Sequence, residues 1–139
     1  MAKRAIESIV PFLSFQGQAE EALALYLDAF PTAKVTGKVL FKAEDDGVEG
    51  KVKQAFLTVG DNVIRVLDVP MSPGFHFSAA LSLFVEVGGA KRLDAIAETL
   101  GTGGQVLMPA DTYPFAERFV WLADRFGVNW QLAHGLRAP

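Results

Sequence analysis

The sequence predicts an α+β fold made of two β-α-β-β-β modules, forming curved mixed sheets around a cavity. Three observations predict it. The order strand, helix, then three strands occurs twice along the chain. Helical segments repeat apolar residues every three or four positions, whereas strand segments alternate or run apolar and β-branched. A Pro and Gly rich stretch, "PMSPGF", separates the two halves.

In the first module the apolar run "SIVPFLSF" leads through Gln16 and Gly17 into "QAEEALALYLDAF", where Ala19, Leu23, Tyr26 and Phe30 recur at helical spacing. Glu20 and Glu21 lie in the first turn, where the positive end of the helix dipole favours acids, and Pro31 stops the helix. "AKVTGKVLFK", a turn at "EDDGVEG", then "KVKQAFLTV" and "NVIRVLDV" follow as strands, the last two joined by the tight Gly60-Asp61-Asn62. The second module opens with "AALSLFVEV" and continues with the helix "GAKRLDAIAETL", which places Leu93, Ile96, Ala97 and Leu100 on one face and Gly101 at its C-terminal cap. "GQVLMP", "ERFVWLAD" and "GVNWQLAH" supply its remaining strands. The expected organisation is one domain over 1–139, with a first module at 8–69, a connector at 70–78 and a second module at 79–134.

Composition narrows the function. With 139 residues, half of them hydrophobic, the chain has enough apolar surface for a sizeable core. Thirteen Lys and Arg against sixteen Asp and Glu leave a net charge of -3, and the basic residues are scattered, which argues against nucleic acid as a partner. The absence of cysteine removes disulfides, thiolate metal sites and cysteine nucleophiles. The opening "MAKRAIESIVPF" reaches Glu7 and Pro11 before a signal-length apolar run develops, so the expectation is a cytoplasmic protein with no membrane partner.

Each module has one helix to cover one sheet face and nothing to cover the other. In "LSLFVEV", Leu81, Leu83, Val85 and Val87 make one apolar face, while Ser82, Phe84 and Glu86 make a mixed one expected to line a cavity for a small ligand. Gln131 interrupts the apolar "VNWQLA", as a satisfied core amide or as a group facing that cavity. Facing it, the amide would need a partner: Arg65, Asn129, water or ligand. Arg65, between Ile64 and Val66, either pairs with Asp68 or Glu86 or reaches a ligand anion. Asp68 and Glu86 are strand carboxylates, either strand ends exposed to water or cavity groups that burial would push toward the neutral form, and His76, near the cavity rim, is either a plain loop residue or a group of the pocket. Phe12, Phe15, Phe56, Phe84, Trp121 and Trp130 are core or pocket wall, depending on a strand phase that a one-residue error inverts. "GTGG" at 101–104 follows a helix and precedes a strand, the reverse of a phosphate-binding turn. No Ser-x-x-Lys or Gly-x-Ser-x-Gly motif supports covalent catalysis.

"PFLSFQGQAEEALALYLDAFP", "HFSAALSL" and "FVWLADRFGVNWQL" resemble the corresponding parts of PhnB-like proteins, a branch of the glyoxalase, bleomycin resistance and extradiol dioxygenase (vicinal oxygen chelate) superfamily, from about Ile9 to Leu132. The resemblance implies the glyoxalase/bleomycin resistance-like fold. It also implies four positions at which metal-using members place ligands. These fall on Pro11 or Phe12, on Arg65 or Val66, on Ala79 or Ala80, and on Gln131. None suits a divalent metal, so the expectation is a metal-free, cofactor-free protein that binds a small organic molecule. The pocket candidates are Arg65, Asp68, His76, Ser82, Phe84, Glu86, Asn129 and Gln131. The alternative is a metal-dependent lyase, isomerase or dioxygenase-like enzyme assisted by Asp68, Gln131 and His76, and a third reading is a structural dimer with a vestigial pocket. The 3-demethylubiquinone methyltransferase activity sometimes attached to such proteins ranks below these, because no Gly-rich strand-to-helix turn suits a nucleotide-like cofactor. Apolar strands with edges to cover predict a homodimer.

Overall fold

Apolar residues at helical spacing bury one side of each helix, and alternating strands build a four-stranded sheet in each module. The computed structural model describes residues 5–70 and 74–138; residues 71–73 of the expected connector lie outside the described residues, as do 1–4 and 139. The elements run β1 (Phe12–Phe15), α1 (Ala19–Ala29), β2 (Ala33–Leu40), β3 (Val52–Val59), β4 (Asn62–Asp68), β5 (Ser82–Glu86), α2 (Ala90–Leu100), β6 (Gln105–Tyr113), β7 (Ala116–Ala123) and β8 (Asn129–Leu136). The predicted α+β class and the doubled β-α-β-β-β order are what the structure shows.

The chain divides into two compact units, Met1–Leu27 with Pro31–Ser72, and Asp28–Phe30 with Pro73–Pro139. Strand order is β1-β4-β3-β2 in the first sheet and β5-β8-β7-β6 in the second. In each, the first and last strands of the module pair in parallel and every other neighbouring pair is antiparallel.

Ala19, Leu23, Tyr26 and Phe30 are all buried, as their spacing requires. On α2, Leu93, Ile96 and Leu100 are buried, and the helix packs on β7 and β8. The second unit's core is centred on Trp130 and Leu132, each essentially without exposure. Burying side chains of this size stabilises the fold by about 1.5–3 kcal/mol apiece. The Trp130 ring lies 5.2 Å from that of Phe30, and its indole N–H donates to Asp124 Oδ2 at 2.9 Å. Asp124 Oδ1 accepts from the N–H groups of Phe126 and Val128, which closes the β7–β8 turn around a buried acid with its bonding satisfied.

Three local expectations are corrected. The first strand begins at Phe12 and not at Ser8: Pro11 has no N–H to extend the ladder, its carbonyl accepts the first bond from Arg65 N, and Ile9 upstream is 90% exposed. Leu81 precedes β5 and is exposed, so the apolar face of that strand starts at Leu83. Gly101 caps α2 as expected, in a right-handed conformation with φ -83°, and a left-handed turn follows at Gly103, φ 73°. The strand expected at "GQVLMP" is also longer than its sequence signal, continuing past Pro109 to Tyr113 with register breaks on either side, as an edge strand permits.

Candidate functional site

Cross-strand register assembles a row of side chains on one face of each sheet. In the first sheet, Arg65 on β4 stands between Phe12 on β1 and Phe56 on β3, and Phe56 pairs in turn with Thr36 on β2. In the second, Gln131 on β8 stands between Phe84 on β5 and Trp121 on β7, and Trp121 pairs with Met108 on β6. Both rows read aromatic, polar, aromatic. Both belong to the open face of their sheet: Phe12 is 51% and Phe84 52% exposed, while Phe15 and Trp130, of opposite strand phase, are core.

The polar residue of each row is held differently. The Arg65 guanidinium carbon lies 5.0 Å from the centroid of the Phe12 ring and 5.2 Å from that of Phe56, a cation flanked by two π faces. The Phe56 ring occupies space that a side chain at Gly37 would claim, since a Cβ there would come within 2.8 Å of it. Gln131 Nε2 donates to Ser82 Oγ at 3.2 Å. Its neighbour Trp121 is oriented by Asn129, whose Oδ1 accepts the indole N–H at 3.0 Å and whose Nδ2 donates to Gly127 O.

The candidate residues thus separate. Ser82, Phe84, Glu86, Asn129 and Gln131 share the open face of the second sheet, where Glu86 is exposed and Asn129 is buried under Trp121. Arg65 lies on the open face of the first. Asp68 does not share Arg65's face, as three residues along a strand reverse the side-chain direction. It is not a water-exposed strand end either. It is 4% exposed, and its carboxylate accepts from three backbone N–H groups: Gly17 and Ala19 on Oδ1, Val52 on Oδ2. Of the partners open to Arg65, Asp68 is therefore ruled out, and the guanidinium makes the two aromatic contacts; of the partners open to Gln131, neither Arg65 nor Asn129 is bonded to it, and Ser82 is. His76 is an exposed loop residue, off both sheets. Phe12, Phe56 and Trp121, which the sequence leaves open between core and pocket wall, fall on the open faces opposite Arg65 or Gln131, and Met108, opposite Trp121 in the ladder, is the row residue that the sequence candidates lack.

Both strand-to-helix turns are tied to the last strand of their module. Gly17 N, at φ 97°, donates to Asp68 at 2.8 Å; Gly89 N, at φ 141°, donates to His134 Nδ1 at 3.0 Å. The same Nδ1 lies 2.9 Å from Val87 O, to which it donates when it carries the ring proton, and Nε2 lies 3.5 Å from Glu117 Oε2. His134 is half-buried by these contacts.

The family model described as 3-demethylubiquinone-9 3-methyltransferase matches residues 7–133. A Bacillus cereus structure described as a 3-demethylubiquinone-9 3-methyltransferase and PhnB protein is 32% identical over 93% of this chain and 100% of that one, with a TM-score of 0.86. The chain belongs to the PhnB-like family of the vicinal oxygen chelate superfamily. A Pseudomonas aeruginosa protein is 25% identical over 94% of this PhnB-like chain and 98% of its own, with a TM-score of 0.83. The fosfomycin resistance protein FosX of Listeria monocytogenes, at 12% identity over 96% and 95% and a TM-score of 0.69, shares the fold. No curated protein sequence matches the chain.

Set against the ligand positions that metal-using superfamily members imply, the donor set here does not fit a divalent metal. Phe12, Arg65 and Gln131 stand at three of them. By the register, the second-module counterpart of Phe12 is Phe84, while Ala79 and Ala80 fall in a turn before β5. A catalytic site of this kind takes three protein ligands, and among the described residues no group of three His, Asp or Glu is close enough to hold an ion. At the helix starts, the N–H groups of Gly17, Ala19 and Gly89 are bonded within the protein. Among the described residues, no helix is long and apolar enough to cross a membrane.

Proposed function

We propose that this PhnB-like chain binds a small organic molecule on the open face of the second sheet, without a divalent metal. The observation that carries the reading is the Gln131–Ser82 pair set between Phe84 and Trp121. One hydrogen bond between the two leaves the amide oxygen and the serine hydroxyl proton for a ligand. Aromatic flanks favour a planar, largely apolar body, and the pair favours a group on it that both donates and accepts. A homodimer belongs to the same reading, supported by exposed Val39 and Leu40 on the edge strand β2 and Val106 and Leu107 on the edge strand β6.

The test is Gln131→Leu in a thermal-shift screen of planar amides, phenols and heterocycles, with metal analysis of the same preparation. A compound at ~100 times its dissociation constant should stabilise the parent by ~2.7 kcal/mol. The variant should keep its own stability within about 1 kcal/mol, since Ser82 can turn to water, and should bind that compound about tenfold or more weakly. Lost stability with unchanged binding makes Gln131 a scaffold group; no hit at all favours a structural protein with a vestigial pocket. One equivalent of zinc, manganese, nickel or iron surviving dialysis favours the metal-dependent enzyme. In sedimentation, a species of the 15.0 kDa chain mass at micromolar concentration counts against the dimer.

A further inference from the structure

We propose that Arg65 is the centre of an anion-binding site in the first module, taking the carboxylate or phosphonate of a small organic molecule. The first sheet's open face has a charge pattern that the second lacks. Among the residues of β1, β2, β3 and β4 the one acid is Asp68, and it is buried on the opposite face with its oxygens bonded to backbone. On the open face, Arg65 is accompanied by Lys34, which pairs across the ladder with Thr58. A strand arginine without a counter-ion is a departure from the usual pairing of half-buried charge.

The geometry explains how the cation is kept there and what it is left to do. Phe12 and Phe56 flank the guanidinium from the two neighbouring strands. Such contacts use its faces and stiffen a long side chain, leaving the in-plane N–H donors at the edge. Arg65 makes no side-chain hydrogen bond or ion pair among the described residues, and no buried side-chain nitrogen there lacks a partner, so these donors open outward. A planar fork fixed by stacking fits the two oxygens of a carboxylate or phosphonate, and charge-assisted pairs of this kind are about twice as strong as neutral ones. The exposed edge of Phe12 offers the rest of the ligand an apolar wall.

This site stands on the first sheet alone, so failure of the Gln131 reading leaves it intact. The test is titration of the 15N-labelled protein with benzoate, with phenylphosphonate and with the neutral isostere benzamide, read at the Arg65 Nε–H signal. The expected result is a saturable shift with at least one of the two anions and none with benzamide. Arg65→Gln should weaken that anion about tenfold or more while leaving binding at Gln131 unchanged, and Arg65→Lys, which keeps the charge and loses the fork, should fall between. The relative affinity of the two anions tells a carboxylate from a phosphonate ligand. An Arg65 signal that neither anion moves, equal shifts with benzamide, or undiminished anion binding by Arg65→Gln or, should that variant not fold, by Arg65→Lys overturns the proposal.

Discussion

Arg65 and Gln131 hold the same place in two sheets of the same topology: each sits on the module's last strand, beside a phenylalanine of the parallel first strand and an aromatic residue of the antiparallel third. Three residues further along, Asp68 and His134 again correspond, each receiving the N–H of a positive-φ glycine that leads into a helix. The first pair differs in what it offers to solvent, a cation in one sheet and an amide in the other. The second differs in how much of the fold it holds, three backbone donors against one. Duplicated architecture therefore fixes which positions matter and leaves their chemistry free, the physical form of the statement that fold does not determine function.

The largest expected effect lies in the second pair. Asp68→Ala strands three backbone N–H groups, two of them buried, and should cost about 3–5 kcal/mol in urea denaturation. His134→Ala removes one acceptor from a half-buried site and should cost about 1 kcal/mol. Asp68→Asn, which keeps an acceptor oxygen, should fall between. Equal losses for the two alanine variants would break the correspondence.

The aromatic walls give the next test, because Phe56 lies over a glycine whereas Trp121 is pinned by an amide. Gly37→Ala introduces a Cβ into the Phe56 ring at a position with φ 59°, a left-handed conformation that costs a side-chain-bearing residue about 1–2 kcal/mol. Asn129→Ala frees the Trp121 indole and should cost a similar amount, about 1–3 kcal/mol. The sharper readout is ligand specificity. Gly37→Ala should disturb anion binding at Arg65 and spare the Gln131 face, and Asn129→Ala should do the reverse.

Much of this was legible in the sequence, and the failures have identifiable causes. The helices could be read because Ala19, Leu23, Tyr26 and Phe30, or Leu93, Ile96 and Leu100, repeat at a period that only a helix buries on one side. That Gln131 faces away from Trp130 and Leu132 follows from alternation alone. Its partner does not: Ser82 reaches it only because β5 and β8 pair in parallel with Phe84 opposite Gln131, a register set by the whole sheet. The same alternation rules out Asp68 among the partners open to Arg65, since residues three apart on one strand do not share a face. Burial of Asp68 was not readable, because it depends on the Gly17 turn and the start of β3 converging on one carboxylate from distant parts of the chain.

The smallest expected effect compares the ion pairs that join each helix to its sheet. Lys38 on β2 meets Glu20 on α1 from one nitrogen, at 2.8 Å to Oε1 and 3.2 Å to Oε2, and Arg118 on β7 meets Asp94 on α2 from two, 2.9 Å from Nε to Oδ1 and 3.1 Å from Nη2 to Oδ2. The fork of Arg118 fixes its partner in two directions and the lysine ammonium does not, so Arg118→Ala should lower the melting temperature more than Lys38→Ala. Hydrogen bonding to Asp94 raises the Arg118 pKa above its ordinary value. A base whose folded pKa is raised contributes fully below its unfolded value, so Arg118 should add no pH dependence around neutral pH, where it stays charged. Salt is the lever that acts on it. Both pairs are solvent-accessible, and at 1 M ionic strength, where the Debye length falls to about 3 Å, the two variants should approach the parent and each other. A difference that persists in high salt would mean that Arg118 holds α2 through packing of its aliphatic stem on the sheet and not through its charge.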